Sequence, residues 1–106
     1  MKKTKGGNVM DLEGAIKYES GAIVSKTLIE KKDSDLSLFA FDKGQGMSAH
    51  TSPYDAVVQV LDGEASIVIG RKPVKVKAGQ LVIMPSKVPH SLTANKRFKM
   101  LLTLVK

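Results

Sequence analysis

An all-β domain, either a sandwich or a barrel, is the fold class this sequence predicts, and two patterns carry that prediction. From residue 22 onward the chain divides into eight short strand-like runs separated by Gly, Pro, Asn and Asp. Two of these runs, residues 36–41 and 97–105, carry apolar side chains on both faces. A sheet with one wet face needs only alternate apolar residues, so something must cover the outer face of these strands. The N-terminal segment and a second copy of the chain are both expected there.

The elements follow in chain order. Residues 1–8 read as a flexible basic leader, with Lys2, Lys3 and Lys5 ahead of Gly6-Gly7. Residues 9–21 are ambiguous: Val9, Leu12 and Ile16 fit a helical turn and a half, while Gly14 and Gly21 oppose it. Runs at 22–30 and 35–42 are split by the polar cluster Lys31-Lys32-Asp33-Ser34. Gly44 and Gly46 read as a turn between strands. Runs at 56–61 and 64–69 meet at Asp62-Gly63, a dipeptide that favours the positive φ angles of a tight two-residue hairpin. Residues 73–77 follow the turn Gly70-Arg71-Lys72, 80–84 follow Ala78-Gly79, and 90–94 follow Pro85 and Pro89. In the closing run, Phe98, Met100, Leu102 and Leu104 share one face.

A length of 106 residues fits one domain spanning 1–106. Hydrophobic residues make up 42% and charged residues 25%, which suits a globular chain rather than a disordered one. With no Cys, disulfide scaffolds, thiolate zinc sites, iron–sulfur clusters and cysteine nucleophiles are excluded. The net charge of +7 is scattered over Lys31-Lys32, Arg71-Lys72, Lys96-Arg97 and the leader. Aromatic residues are limited to Tyr18, Phe39, Phe41, Tyr54 and Phe98, too few for the stacking platforms of a single-strand binder. The charge therefore reads as a solvated surface, and no nucleic-acid partner is expected. The fully apolar runs, such as residues 81–84, fall far short of the roughly 20 residues of a membrane span. No targeting segment is visible, so the expected setting is cytoplasmic, without a membrane partner.

Any imidazole chemistry must use His50 and His90. Residues 44–49 match the loose pattern G-x-G-x-x-G/A, but they run into His50-Thr51-Ser52-Pro53, which cannot open the helix a dinucleotide loop requires. Ser52 lies near His50 without an orienting acid, so no nucleophilic triad follows. What remains is spacing. Gly46-x3-His50-x-Ser52-x3-Ala56-x6-Gly63 is followed by Gly79-x5-Pro85-x4-His90-x3-Ala94.

These two stretches resemble the paired motifs of the cupin family, and the resemblance covers residues 36–105. It implies a small double-stranded β-helix, a jelly-roll-like barrel that is usually dimeric, with a pocket in its mouth. Many relatives hold a divalent metal there with a His pair, a Glu and the second-motif His. Here His50 and His90 match two of those ligands, but Ser52 stands at the second His position and Ala56 at the Glu position. Lys87 stands at a glycine position of the second motif, and Ala94 at its Asn. A divalent ion wants at least three protein ligands, so the site is expected to hold metal weakly or not at all. Asp55, Gln45 and Gln59 are the nearby candidates for a third ligand. By alternation, Asp55 should face away from Ala56.

Each histidine taken alone reads as a satisfied core or loop residue. Together, at matching positions of two motifs, they predict a shared site. The expected pocket is lined by His50, Ser52, Ala56, Val58, His90, Leu92 and Ala94, with small side chains leaving room where relatives place ligands. Met47, Met84 and Met100 are expected as core filler. The function expected is small-molecule binding in the barrel by a homodimer. The alternative is a metal-dependent dioxygenase or isomerase built on His50, His90 and a third ligand.

Overall fold

The computed structural model describes residues 6–106 and contains eight strands: β1 (Ile23–Glu30), β2 (Ser34–Phe41), β3 (Gly46–His50), β4 (Asp55–Ile69), β5 (Lys72–Lys77), β6 (Leu81–Met84), β7 (His90–Thr93) and β8 (Phe98–Val105). Every pairing is antiparallel. Strands β1, β2, β8, the first half of β4 and β6 form one sheet. The second half of β4 joins β5, β7 and β3 in the other. The two curl around one core, giving the all-β barrel expected of the resemblance. Among the described residues no helix is long and apolar enough to cross a membrane. Of the expected basic leader, residues 1–5 lie outside the described residues, and residues 6–8 are exposed.

The hairpin expected at Asp62-Gly63 does not exist. β4 runs unbroken for 15 residues and passes from one sheet to the other at that dipeptide. Gly63 does take a positive φ of 74°, and the pairing with β8 shifts register between Val60 and Asp62. A positive φ serves a bulge as well as a hairpin turn. What selects the bulge is β8, which pairs with both sides of the bend through Val60↔Met100 and Gly63↔Phe98. The tight two-residue turn sits one strand later, at Gly70-Arg71, where Ile69 pairs with Lys72. A second correction concerns Gly46, expected with Gly44 as a turn; it opens a strand instead. Residues 46–50 form β3, a short edge strand on β7 whose mostly small, exposed side chains leave little apolar alternation.

The apolar residues on both faces of β2 have two separate destinations. Phe41 enters the barrel core, stacked on Phe98 with ring centroids 4.5 Å apart, and Phe39 packs beside it. Leu38 and Ala40 point outward and are completely buried, because Leu12, Ala15, Ile16 and Tyr18 lie over them. Full burial contributes about 1.5–3 kcal/mol for each large aliphatic or aromatic side chain. The N-terminal segment thus covers the outer face, as expected, but as turns rather than a helix, and Val9 stays fully exposed. Polar contacts hold this strap. The Lys99 ammonium donates to the Glu13 carbonyl at 2.6 Å, and the Tyr18 hydroxyl donates to the Asp62 carboxylate at 2.6 Å. Burial and then the Asp62 contact push the Tyr18 pKa upward.

Candidate functional site

His50 ends β3 and His90 opens β7, and the two are direct partners across the ladder. Their meeting depends on a bulge. Met47 pairs with Leu92 and His50 with His90, so three steps along β3 oppose two along β7. In a regular strand, residues 47 and 50 would face opposite sides of the sheet. The extra residue at Ser48-Ala49 turns His50 onto the Met47 face, toward the barrel interior. Pro89 and Pro53 delimit the strands that carry the pair.

The ring centroids lie 4.4 Å apart at an interplanar angle of 72°. His50 Nδ1 is 2.7 Å from the Ser48 carbonyl, and His90 Nδ1 is 3.2 Å from the Val88 carbonyl. A carbonyl only accepts, so each Nδ1 carries the proton and donates it. Each neutral ring is thereby left with its lone pair on Nε2. His90 is buried and His50 is exposed. Burial lowers the His90 pKa, the neighbouring His50 lowers it further, and the bond to Val88 opposes both. His90 is accordingly neutral at pH 7.

Beside the pair lies a cavity of about 170 Å³. Of the residues expected to line it, His50, Ser52, Ala56, His90 and Leu92 do so. Val58 and Ala94 do not; both are wholly buried in the surrounding core. The rest of the wall is Phe39 from β2, Met47, Met84, and Met100, Leu102 and Leu104 from β8. The signal for these was present: Met100, Leu102 and Leu104 share one face by alternation, and Leu104 and Met84 are the ladder partners of Ala56. The methionines expected as filler therefore also form wall. A wider groove of about 490 Å³ runs past Ser66, Val68, Pro73 and Lys75. It holds neither imidazole and opens broadly to solvent, so the smaller cavity is the chemically equipped one.

The donor set does not fit a divalent metal. Among the described residues no group of three or more His, Cys, Asp and Glu comes together. The Asp55 carboxylate is exposed and accepts the Ser86 N–H at 2.8 Å. Gln45 and Gln59 do not border the cavity. The Ser52 hydroxyl oxygen accepts the Tyr54 N–H at 3.1 Å. Two neutral imidazoles would leave a doubly charged ion uncompensated.

Comparison with known proteins agrees with this fold. The family model described as a cupin domain matches residues 37–105. A conserved protein of unknown function from Streptococcus pyogenes superposes with a TM-score of 0.93 at 37% identity, over 99% of this chain and 92% of that one. A cupin 2 conserved barrel domain protein from Leptotrichia buccalis gives a TM-score of 0.89 at 40% identity, over 92% of this chain and 47% of its own, so the chain spans about half of that protein. A salicylate 1,2-dioxygenase mutant from Pseudoaminobacter salicylatoxidans shares the fold alone, with a TM-score of 0.73 at 18% identity, over 88% of this chain and 29% of that one. No curated protein matches the chain in sequence.

Proposed function

This chain belongs to the cupin family, and from that premise we propose that it binds a small, mostly apolar molecule in the barrel cavity and holds one polar group of it at the imidazole pair. The observation that carries the reading is the tethering of both Nδ1 atoms, which leaves two Nε2 acceptors beside an apolar wall. Such a site favours a ligand that donates a hydrogen bond, because a buried donor without a partner is costly. The cavity, at about 170 Å³, suits a ligand with a single six-membered ring. An apolar cavity of roughly 150 Å³ in another protein holds benzene. The divalent-metal enzyme reading has no comparable support, since among the described residues no third ligand joins the pair.

The partner proposed for the chain is a second copy of itself. Leu81 and Ile83 on β6 are 53% and 55% exposed, and Val57 and Val105 lie on the same outer face. A cytoplasmic setting suits the cysteine-free composition.

The pocket reading is tested on metal-free protein with phenol and toluene as one-ring probes, using calorimetry. Phenol is expected to bind about tenfold more tightly than toluene, a difference of roughly 1.4 kcal/mol for the paired hydroxyl. Ala56→Leu, which fills the cavity, is expected to abolish binding of both. Failure of either probe to bind, or binding indifferent to Ala56→Leu, contradicts the reading.

A further inference from the structure

The soft donor atoms of this chain converge on one place. The sequence holds two histidines and five methionines. Met1 lies outside the described residues, and Met10 packs in the strap over the outer face. The other three, Met47, Met84 and Met100, border the same cavity as both histidines. Among the described residues no carboxylate lines that cavity, and the one side-chain oxygen that does, on Ser52, accepts the Tyr54 N–H. The available donors are thus imidazole nitrogen and thioether sulfur, all of them neutral.

This chemistry discriminates between metals. Magnesium, calcium and manganese require oxygen donors, and zinc prefers thiolate, imidazole and carboxylate. Thioether sulfur selects copper in its monovalent state. The charge matters as well. The solvation lost on burial grows with the square of the charge, so a monovalent ion pays about a quarter of the divalent penalty in a neutral site. Cu(I) is a closed-shell d10 ion that accepts low coordination numbers, so it does not need the ligand lost at Ala56. The imidazoles are already prepared for it. Both Nδ1 atoms lie against main-chain carbonyls, so Nε2 is the nitrogen each neutral ring offers to a metal, and the ring centroids are 4.4 Å apart.

We propose that the cavity is a Cu(I) site, with Nε2 of His50 and Nε2 of His90 joined by thioether sulfur from Met47, Met84 and Met100. The proposal does not rest on the organic-ligand reading, which concerns the metal-free protein. With Ala56 and Ser52 standing where the divalent pattern has a carboxylate and an imidazole, the site favours a soft monovalent ion over hard divalent ones.

The test is an anaerobic titration of the full chain with Cu(I) in competition with the chromophoric chelator bicinchoninate. The protein is expected to withdraw one equivalent of copper, and excess Zn(II) or Mn(II) is expected not to displace it. Met and Leu are near in volume, so the Met47→Leu/Met100→Leu variant is expected to keep the fold, checked by circular dichroism. It should bind copper at least about tenfold more weakly, and His50→Ala should do the same. Met10→Leu, outside the cavity, should change nothing. X-ray absorption at the copper edge is expected to report both nitrogen and sulfur neighbours. No copper withdrawn, displacement by Zn(II), unchanged affinity in the double methionine variant, weakened affinity in Met10→Leu, or a shell without sulfur each overturns the proposal.

Discussion

Lys87 holds a conformation that its side chain opposes. Its φ is 67°, the one positive value at a non-glycine position among the described residues. The loop needs it: the Lys87 N–H donates to the Ser52 carbonyl at 2.7 Å, tying the approach to β7 to the segment after β3. A side chain in the left-handed region costs roughly 1–2 kcal/mol. Glycine removes that cost but adds about 0.5–1 kcal/mol of unfolded-state entropy. Lys87→Gly is therefore expected to raise stability by about 0.5 kcal/mol, and the β-branched Lys87→Val to lower it by about 1–2 kcal/mol. Urea denaturation midpoints of the two variants check the sign of each. The departure at this position was visible in the motif spacing. That the position demands a positive φ became clear only with the backbone.

At the scale of single elements, β4 decides the architecture, and Gly63 decides β4. A Cβ on residue 63 would collide with the Arg97 carbonyl oxygen and crowd Phe98 Cα, both of them backbone at the start of the adjacent strand β8. Gly70 also has a positive φ, 63°, but a Cβ there would only touch a Val88 methyl at 3.6 Å. Gly63→Ala is thus expected to cost about 3 kcal/mol or more, and Gly70→Ala about 1 kcal/mol. Equal losses in thermal or urea unfolding would contradict the assignment of Gly63 as the crossover bend. The dipeptide Asp62-Gly63 announced a positive φ but not its use. A hairpin and a bulge share that local requirement, and the choice is made by β8, some forty residues away in sequence. The bulge at Ser48-Ala49 was equally hidden, because nothing in Gly46-Met47-Ser48-Ala49-His50 marks one residue as unpaired. Without that bulge His50 would lie on the face opposite Met47, away from His90, so the least legible element positions half of the imidazole pair.

Across the whole molecule, long-range apolar pairing was the most legible feature. Apolar residues on both faces of β2 required a cover, and the strap of Leu12, Ile16 and Tyr18 supplies it over Leu38 and Ala40. The cover ends before β6, where Leu81 and Ile83 remain open. If a second copy buries them, Ile83→Lys should convert dimer to monomer in sedimentation velocity while leaving the circular dichroism unchanged. A monomeric parent protein, or a variant that still dimerises, would remove this face as the interface. The cavity sits on the opposite side of the same sheet, bordered by Met84 of β6, so assembly and site share one edge. Everything proposed for the cavity depends on two tethered rings presenting Nε2 to a common space. Long-range proton–nitrogen correlation spectra of the histidine rings, recorded on the full chain at neutral pH, test this most directly. The account requires both rings to be Nδ1–H tautomers and to show a cross-relaxation contact with each other; an Nε2–H tautomer at either ring, or no contact between them, would contradict it.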